Sequence, residues 1–222
     1  MAITMTDSQK KDLETREKVL RAAGRVFAEK GFKSATVREI CQLAGVNLAS
    51  VNYYFGDKER LYLAAVRAAH KLRVESVPMP DRGDLADPET RLRDFIFTLL
   101  RRMLAPKEDE WQSNLMLREV LNPSAACQEL VQDYFRPHFE MLSRTVSELV
   151  PAGTMPERVR QICFSIVGQC FYHRVAGAVV PLIVDEDEYA THYSVDALAE
   201  HIFHFSLAAV RIGNSVAQAQ ND

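Results

Sequence analysis

Residues 36 to 58 constrain the fold of this chain most, because they hold the start and stop signals of two very short helices. Thr36 and Glu39 form a capping box, in which the hydroxyl accepts from a backbone amide and the carboxylate reaches back to the cap residue. Gly45 ends this helix after about two turns, and Asn47 is a good N-cap for the next one. Helices this short bury little surface, so their outer faces are predicted to serve another purpose.

The second short helix, predicted from Asn47 to Phe55, has two different faces. Val51 and Phe55 lie four residues apart and share one face, which is predicted to pack on the two preceding helices. The opposite face is predicted to point outward and carries Leu48, Ala49, Asn52 and Tyr53. Two helices joined by a glycine-containing turn, with the second one short and facing outward, are typical of a helix-turn-helix.

Small residues on the outer face favour close approach to nucleic acid. Ala49 and Ser50 keep the helix slim enough to enter a major groove about 12 Å wide. A tyrosine hydroxyl at the rim of the groove can donate to a phosphate while its ring packs on the protein. Lys58 adds a positive charge where the backbone amides of a helix start already favour an anion. The alternative is an ordinary helical hairpin whose tyrosines cover a core.

The charge of the chain is unevenly distributed. By count, residues 1–75 carry a net charge of +5 and the remainder of the 222 residues carries −8, which together give −3. A basic N-terminal part beside an acidic body indicates two modules with different partners. We expect a helix-turn-helix domain over residues 1–75, including a connecting helix, and a larger helical domain over residues 76–222. Residues 76–88, rich in Pro, Gly and Asp, are predicted to be a linker or loop.

Apolar residues spaced by three and four positions predict an all-α fold. The first helix is predicted over Thr15–Lys30 and the fourth over Lys58–Arg73. Further helices are predicted over residues 88–104, 111–122, 126–150, 156–184 and 195–213. Pro137 and Pro181 are predicted to kink or divide their helices, and residues 185–188 to form a solvated loop.

The composition argues against several other classes of protein. No apolar run approaches the roughly 20 residues that span a bilayer, and the polar start lacks a secretory signal, so we expect a cytoplasmic protein with no membrane partner. The four cysteines lack zinc-site spacing and are predicted to be buried thiols. His201 and His204 lie one turn apart, as metal ligands can, although a helix surface is the simpler interpretation. Without a phosphate-binding loop or a nucleophile elbow, we predict no catalysis, no cofactor and no metal.

Four segments resemble the DNA-binding signature of the TetR family of bacterial transcriptional regulators, in order and in spacing. They are Thr36–Ile40, Ala44–Val46, Tyr53–Phe55 and Lys58–Glu59. Residues 117–126 and 136–142 are similar to the CecR branch of that family. The resemblance implies an all-α homodimer with an N-terminal DNA-binding domain and a larger helical domain for ligand binding and dimerisation.

Carried over by position, the resemblance implies roles for single residues beside double-stranded DNA. Thr36 is expected to contact a phosphate and Arg38 to lie near DNA. The expected base-facing residues are Leu48, Ala49 and Ser50, the expected backbone contacts are Tyr53, Tyr54 and Lys58, and Asn47 completes the surface. Asn52 stands where many members carry Tyr, and Tyr54 where many carry His. Because Asn can bond adenine in a bidentate manner, Asn52 is predicted to read a base.

The larger domain is predicted to bind an unknown small-molecule effector. Its aromatic and Met residues are predicted either to fill a core or to line a cavity. The candidate ligand residues are Met103, Trp111, Met116, Arg118, Tyr134, His138, Phe171 and His173. Arg118 stands within an apolar stretch and, if buried, needs Glu119, Glu140 or a ligand anion as its partner. Two roles stay open for it, a pocket residue and an anchor between helices.

Two strongly apolar segments, residues 156–184 and 195–213, are predicted to form a homodimer. Their apolar stripes are wider than a peripheral helix needs, so two segments from each chain are predicted to build a four-helix bundle. The predicted interface residues are Ile162, Ile166, Cys170, Phe203, Ala209 and Val210. The predicted function is a repressor that binds a palindromic operator as a dimer and is released by a small molecule. The alternative is a helical small-molecule-binding protein or enzyme without a DNA role.

Overall fold

Eleven α-helices and no strand form in residues 6–80, 86–104 and 110–218, the part of the chain that the computed structural model describes. The predicted all-α fold is therefore confirmed. In chain order the helices are α1 (Asp7–Ser34), α2 (Val37–Ala44), α3 (Leu48–Phe55), α4 (Lys58–Ser76), α5 (Pro88–Met103), α6 (Glu110–Leu121), α7 (Ala125–Leu130), α8 (Arg136–Leu149), α9 (Pro156–Val175), α10 (Glu186–His192) and α11 (Val195–Gln218). A π-helical turn, Val131–Phe135, precedes α8, and a short 3-10 turn, Val180–Leu182, follows α9.

The helices pack into two compact units. Unit 1 consists of Met1–Ser76 and Pro106–Val131, and unit 2 consists of Val77–Ala105 and Gln132–Asp222. The chain first passes from unit 1 to unit 2 between Ser76 and Val77, next to the predicted domain boundary at residues 75 and 76. Unit 1 also takes in α6 and α7, however, which the sequence prediction assigned to the second domain. The prediction divided the chain once, whereas the packing divides it at three places.

The first helix begins earlier than its apolar spacing indicates. The side chains of Thr6 and Gln9 form a capping box, so α1 starts at Asp7 and not at Thr15. Gly31, with a φ of 73°, interrupts the helix where the sequence predicts its end, because glycine reaches this left-handed region at little cost. The buried side chains of α1 include Val19, Ala23 and Phe27.

A glycine allows α1 and α6 to pack closely in unit 1. The ring of Trp111 on α6 lies so near Gly24 of α1 that a Cβ at this glycine would be 2.1 Å from the tryptophan Cζ3. Interiors are close-packed, so a side chain at this position would have to displace the indole. The close approach therefore requires glycine in the middle of α1, where helix propensity alone disfavours it.

The helix-turn-helix forms through the signals that the sequence predicts. The Glu39 amide donates to the Thr36 hydroxyl at 3.3 Å, and the Thr36 amide donates to the Glu39 carboxylate at 3.0 Å. Gly45 closes α2 in the left-handed conformation, with a φ of 67°. Asn47 caps α3, because its Oδ1 accepts from the Ser50 amide at 2.8 Å.

Unit 2 has a hydrophobic core of its own, built by α5, α8, α9 and α11. The most deeply buried side chains of this core include Leu92, Ile96, Leu100, Leu142, Val146, Cys163, Ile166, Cys170 and Ile202. Exposed ion pairs join α5 to its neighbours, with Arg91 bound to Glu148 on α8 and Arg101 bound to Asp196 on α11 at 2.8 Å. Such surface pairs add little stability, so the apolar core carries the unit.

The segments with proline and acidic residues follow some predictions and not others. The helix predicted over residues 126–150 is divided, as predicted, with Pro137 in the first turn of α8. The helix predicted to reach residue 184 ends at Val175, ahead of Pro181. The loop predicted over residues 185–188 is wrong, since Asp185 caps α10 by accepting from the Glu188 amide at 2.8 Å. Acidic residues in the first turn of α10 are favoured by the helix dipole.

Within the described residues no helix is both long enough and apolar enough to cross a bilayer. The same residues contain no group of three His, Cys, Asp or Glu side chains that could hold a metal ion. His204 lies 3.8 Å from Glu200 on its own helix. The four cysteines are free thiols; all are buried except Cys127, which is partly exposed.

Candidate nucleic-acid interface

Helix α3 presents one face to the interior of unit 1 and the other to solvent. On the inner face Val51 is 1% exposed and Phe55 is buried as well. On the outer face Leu48 is 55% exposed and Tyr53 is 77% exposed. Ala49 and Asn52 are also exposed. The outer face is therefore open to an approaching duplex, which is the arrangement that a recognition helix needs.

The start of α3 uses two of the predicted DNA residues to cap itself. The Ser50 amide and hydroxyl both donate to Oδ1 of Asn47, at 2.8 Å and 3.0 Å. Ser50 is partly buried, whereas Asn47 is exposed. The capping bonds hold these side chains in place at the turn and leave the neighbouring Leu48 and Ala49 as the most accessible residues of the first turn.

The start of α2 is held by a charged network. The Thr36 hydroxyl donates to the Glu39 carboxylate at 3.0 Å, and Lys30 of α1 pairs with the same carboxylate at 2.6 Å. The hydrogen bond from Lys30, followed by those from Thr36, lowers the pKa of Glu39 to about 2. Thr36 thus uses its hydroxyl inside the capping box, while Arg38, in the first turn of α2, is exposed.

The two tyrosines of α3 are in different environments. The Tyr54 hydroxyl donates to Asp12 of α1 at 2.7 Å, and this hydrogen bond raises the pKa of Tyr54. The rings of Tyr53 and Tyr54 meet edge to face at 5.0 Å. Tyr54 therefore ties α3 to α1 within the protein, and Tyr53 is the tyrosine that projects into solvent.

Lys58 lies at the start of α4, beside the last residues of α1 that follow the interruption at Gly31. Its Nζ sits 4.7 Å from the centroid of the Phe32 ring and 3.4 Å from the carbonyl oxygen of Lys33. Asp57 caps α4 by accepting from the Arg60 amide at 2.8 Å. The ammonium group is held by a cation–π contact at the first turn of a helix, where anions are favoured.

Three of the eight predicted ligand residues belong to unit 1, and they pack its helices together. Trp111 covers Gly24, and Met116 is partly buried. Arg118 donates from Nε to the carbonyl of Ala28 at 2.6 Å and from Nη2 to that of Glu29 at 2.5 Å. These carbonyls lie at the end of α1, just before its interruption at Gly31. Arg118 is thus an anchor between helices, bonded to carbonyls and not to the expected carboxylates.

The other five predicted ligand residues belong to unit 2, where Tyr134 and His138 meet the buried Arg102. Nη1 of Arg102 lies 3.3 Å from the Tyr134 hydroxyl and 3.1 Å from Nε2 of His138. A guanidinium only donates, so Nε2 accepts and Nδ1 carries the proton that is donated to the Tyr134 carbonyl at 2.9 Å. Burial lowers the pKa of His138, which agrees with a neutral ring. The sequence did not predict a buried role for Arg102, because a pair of basic residues at the end of a helix is usually solvated. In the structure only Arg101 of this pair is exposed.

A cavity of about 450 Å³ also lies in unit 2, between α9, α11 and the loop of residues 150–154. Its polar lining includes Arg158, Gln161, Gln169 and Ser206. None of the eight predicted ligand residues lines this cavity. Met103, Phe171 and His173 are partly buried elsewhere in the unit, and burial, followed by the charge of His201, lowers the pKa of His173.

Most of the predicted dimer residues are covered by their own protomer. Ile166, Cys170 and Phe203 are buried within the core of unit 2, and Ile162 packs against that core. Val210 is 1% exposed. Only Ala209 of the predicted set is exposed. The apolar stripes are wide because they cover α5 and α8 of the same protomer. Apolar side chains on the exposed sides of α9 and α11 are Phe164, Tyr172, Val175 and Phe205.

Two family descriptions match the sequence. Residues 19–65 match the bacterial regulatory proteins of the tetR family. Residues 88–210 match the C-terminal domain of the HTH-type transcriptional dual regulator CecR, and this match spans more than half of the chain. The first match contains the whole helix-turn-helix, and the second contains most of unit 2.

Three named relatives of this chain are transcriptional regulators. CecR of Shigella flexneri is 27% identical in an alignment of 185 positions, and the match covers 76% of this chain and 79% of CecR. The HTH-type transcriptional repressor NicS of Pseudomonas putida is 36% identical over 37% of this chain and 38% of NicS. The HTH-type transcriptional repressor AcnR of Corynebacterium efficiens is 37% identical over 36% of this chain and 45% of AcnR. NicS and AcnR are matched over less than half of their lengths.

Solved structures share the fold. A TetR-like transcriptional regulator from a Rhodococcus species superposes with a TM-score of 0.67 at 18% identity, covering 94% of this chain and 99% of that one. The hemolysin II transcriptional regulator HlyIIR gives a TM-score of 0.52 at 24% identity, covering 78% and 96%. At these identities the likeness shows the fold alone.

The family matches agree with the exposed recognition helix, and the matched families consist of transcriptional regulators and not of enzymes. Helix α3, with its buried inner face and open outer face, is the element through which such a regulator meets DNA. The chain therefore belongs to the TetR family of bacterial transcriptional regulators, within its CecR branch, and is a DNA-binding regulator.

Proposed function

We propose that the chain is a repressor that binds a palindromic operator as a homodimer and leaves it when a small molecule binds unit 2. The observation that carries the DNA part is the division of α3 into a face buried by Val51 and Phe55 and an exposed outer face. In a dimer, two such helices reach half-sites about one DNA turn apart, roughly 34 Å, or a multiple of it. A palindromic operator then mirrors the two-fold symmetry of the protein.

The outer face of α3 supplies the proposed base contacts. Asn52 reads an adenine by donating to and accepting from its edge, and Leu48 covers a thymine methyl. Ala49 permits close approach of the helix. Asn47 and Ser50 lie at the capped start of α3, where their cap bonds position them beside these three residues.

The proposed backbone contacts flank the recognition helix. Tyr53 and Lys58 reach phosphates on either side of the groove, and Arg38 adds a charge from the exposed face of α2. Thr36 and Tyr54 support this surface through hydrogen bonds to neighbouring side chains, the first in its capping box with Glu39 and the second with Asp12. Phosphate contacts fix the register of the protein on DNA, and base contacts supply the sequence preference.

The proposed dimer forms through the exposed apolar sides of α9 and α11. Phe164, Tyr172 and Phe205 are large apolar residues left open on the protomer. A Cβ added at Gly168, on the same helix as the first two, would meet no atom within 4 Å, so there is room for a partner there. Two helices from each protomer then form the four-helix bundle that the sequence predicts, with different residues in the interface.

The effector is proposed to bind in unit 2 and to shift the balance between two conformations. The cavity of about 450 Å³ has the size of a small-molecule site. Its apolar walls and Arg158 suit a molecule with an apolar body and a group that accepts hydrogen bonds. A ligand shifts the equilibrium only by its differential affinity for the two states, commonly about 1–3 kcal/mol.

The effector site is tested by a ligand screen that follows the thermal unfolding of the protein. Thr154→Trp fills the cavity, and His138→Ala opens the group of Arg102, Tyr134 and His138, of which the sequence predicts the last two to bind ligand. We expect Thr154→Trp to abolish the ligand-induced rise in unfolding temperature. If only His138→Ala abolishes this rise, the effector binds at Tyr134 and His138 instead of in the cavity.

The DNA function is tested by selecting bound duplexes from a random pool. The affinity for the selected duplex is then measured at increasing salt concentration. A repressor of the proposed kind selects a palindrome, and its affinity falls steeply as salt rises because counterions are released. A helical ligand-binding protein without a DNA role selects no sequence. Binding that is salt-dependent but selects no palindrome would also overturn the proposal.

A further inference from the structure

Unit 1 buries a carboxylate that belongs to none of the proposed DNA contacts. Glu119 of α6 is 1% exposed. One of its oxygens accepts from the Tyr62 hydroxyl of α4, and the other accepts from the Ser124 amide at 3.3 Å and the Ser124 hydroxyl at 2.8 Å. Burial, followed by the bond to Glu119, raises the pKa of Tyr62. A buried acid with three donors fixes the groups around it firmly.

The ring of Tyr62 packs in an aromatic cluster with Phe27 and Phe32. Its ring meets Phe27 of α1 edge to face at 4.9 Å, and it meets Phe32 in the turn after Gly31 at 5.1 Å. Phe32 is also the ring over which the Lys58 ammonium lies, at 4.7 Å from the centroid. Lys58 and Tyr62 are four residues apart on α4, so they project from the same face of that helix. Phe32 is therefore held between them.

The residue next to Glu119 holds the other side of the same turn. Arg118 donates to the carbonyls of Ala28 and Glu29 at the end of α1. Its Nη1 lies 3.2 Å from the point where a Cβ at Gly31 would be. Two consecutive residues of α6 thus fix both supports of Phe32, with Arg118 holding the end of α1 and Glu119 holding α4.

We propose that Glu119 and Tyr62 are positioning residues for Lys58, so that α6 determines whether its ammonium reaches a DNA phosphate. This inference rests on the proposed role of Lys58 as a phosphate contact. A lysine side chain is long and flexible, and it binds a phosphate best when its direction is already set. The Phe32 ring sets that direction, and the bond between Tyr62 and Glu119 sets the ring. A shift of α6 against α1 and α4 moves Lys58 with it.

The test uses the salt dependence of DNA affinity, which counts phosphate contacts. The logarithm of the binding constant falls against the logarithm of salt concentration with a slope of about −0.9 for each phosphate neutralised on duplex DNA. We expect Lys58→Ala to make the slope of the selected duplex shallower by about one contact. We expect Tyr62→Phe to do the same although Lys58 is still present, and the double variant to be no shallower than either single one.

The control is Lys71→Ala, which removes the same charge from the exposed face of the same helix, where Lys71 pairs with Glu75 at 3.8 Å. Its slope should equal that of the wild type. Tyr62→Phe keeps both ring contacts, and its folding is followed by circular dichroism at each salt concentration. If that variant does not fold, Phe32→Leu removes the ring under Lys58 while leaving Tyr62 and Glu119 intact, and it should give the same shallower slope.

The outcomes separate the two proposals. A wild-type protein without steep salt dependence overturns the proposed function itself. A shallower slope in Lys58→Ala, with wild-type slopes in Tyr62→Phe and Phe32→Leu, overturns the positioning role alone. An unchanged slope in Lys58→Ala overturns the phosphate contact and the positioning role together, while the rest of the proposed interface stands. A shallower slope in all three variants supports both.

Discussion

At the scale of single residues, neighbouring side chains on the outer face of α3 have different proposed roles in DNA binding. Asn52 is exposed and stands on the face proposed to meet bases, so Asn52→Ala should weaken binding to the selected operator. A bidentate bond to adenine contributes about 1–3 kcal/mol of discrimination, which is roughly a 5- to 150-fold change in affinity. The measurement compares the operator with duplexes altered at single positions.

The pattern of the loss identifies the kind of contact that Asn52 makes. If Asn52 reads a base, the variant loses its preference at one position of each half-site. Asn122→Ala, at an exposed asparagine just after α6, is the matched control and should bind like the wild type. An equal loss of affinity on every duplex would instead make Asn52 a backbone contact.

Glu39 makes the stability of unit 1 depend on pH in the acid range. Lys30 and Thr36 lower its pKa from 4.5 to about 2, so the folded protein holds the carboxylate charged where the unfolded chain would protonate it. The stabilisation is fully present above pH 4.5 and is lost as pH falls towards 2. Glu39→Gln keeps a side chain that fits a capping box and removes the charge.

The expected result for Glu39→Gln is a stability deficit that shrinks with acidity. Urea unfolding midpoints of the wild type and the variant should differ at neutral pH and converge below pH 4.5, in the window set by the lowered pKa. The carboxylate is exposed, so the difference is small. A gap of the same size at every pH would show that the charge of Glu39 is not its cause.

At the scale of helices, Gly24 decides how closely α1 and α6 pack. Gly→Ala inside a helix normally stabilises by roughly 0.5–1 kcal/mol. Here the new Cβ would lie 2.1 Å from the Trp111 ring, and such overpacking costs about 1–3 kcal/mol. We therefore expect Gly24→Ala to lower the free energy of unfolding, measured by urea denaturation. Combined with Trp111→Val, which makes room, the same change should become neutral or stabilising.

The helices of the DNA-binding part could be predicted because their signals are local. Thr36, Gly45 and Asn47 act within one turn of their own position, and each acts in the structure as the sequence indicates. The partners of Arg118 could not be predicted in this way. They are the carbonyls of Ala28 and Glu29, about 90 residues earlier in the chain, and only the packing of α6 on α1 brings them together.

The candidate site shows the same division between local and distant information. The outward direction of Leu48 and Tyr53 follows from helical periodicity alone, and the structure agrees. Periodicity also marks the apolar stripes of α9 and α11, but it cannot tell which neighbour covers a stripe. The core of the same protomer covers Ile166 and Phe203, so their apolar spacing is explained without a partner chain.

At the scale of the whole molecule, two phenylalanines of α11 test where the protomers of the proposed dimer meet. Phe203 is 7% exposed and belongs to the core of unit 2, whereas Phe205, two residues later, is 58% exposed. If the exposed sides of α9 and α11 form the dimer, a charge at Phe205 is buried without a partner only in the dimer. Phe205→Glu should then yield a folded monomer.

Sedimentation at micromolar concentration measures the assembly, and circular dichroism measures the fold. Phe203→Ala is the matched control: it should destabilise the protomer by about 3–5 kcal/mol, as deletions of a buried phenylalanine do. Because a monomer holds only one recognition helix, Phe205→Glu should also lose tight binding to a full palindrome while keeping weak binding to a half-site. A dimeric Phe205→Glu protein with normal operator affinity would place the interface on another face of the chain.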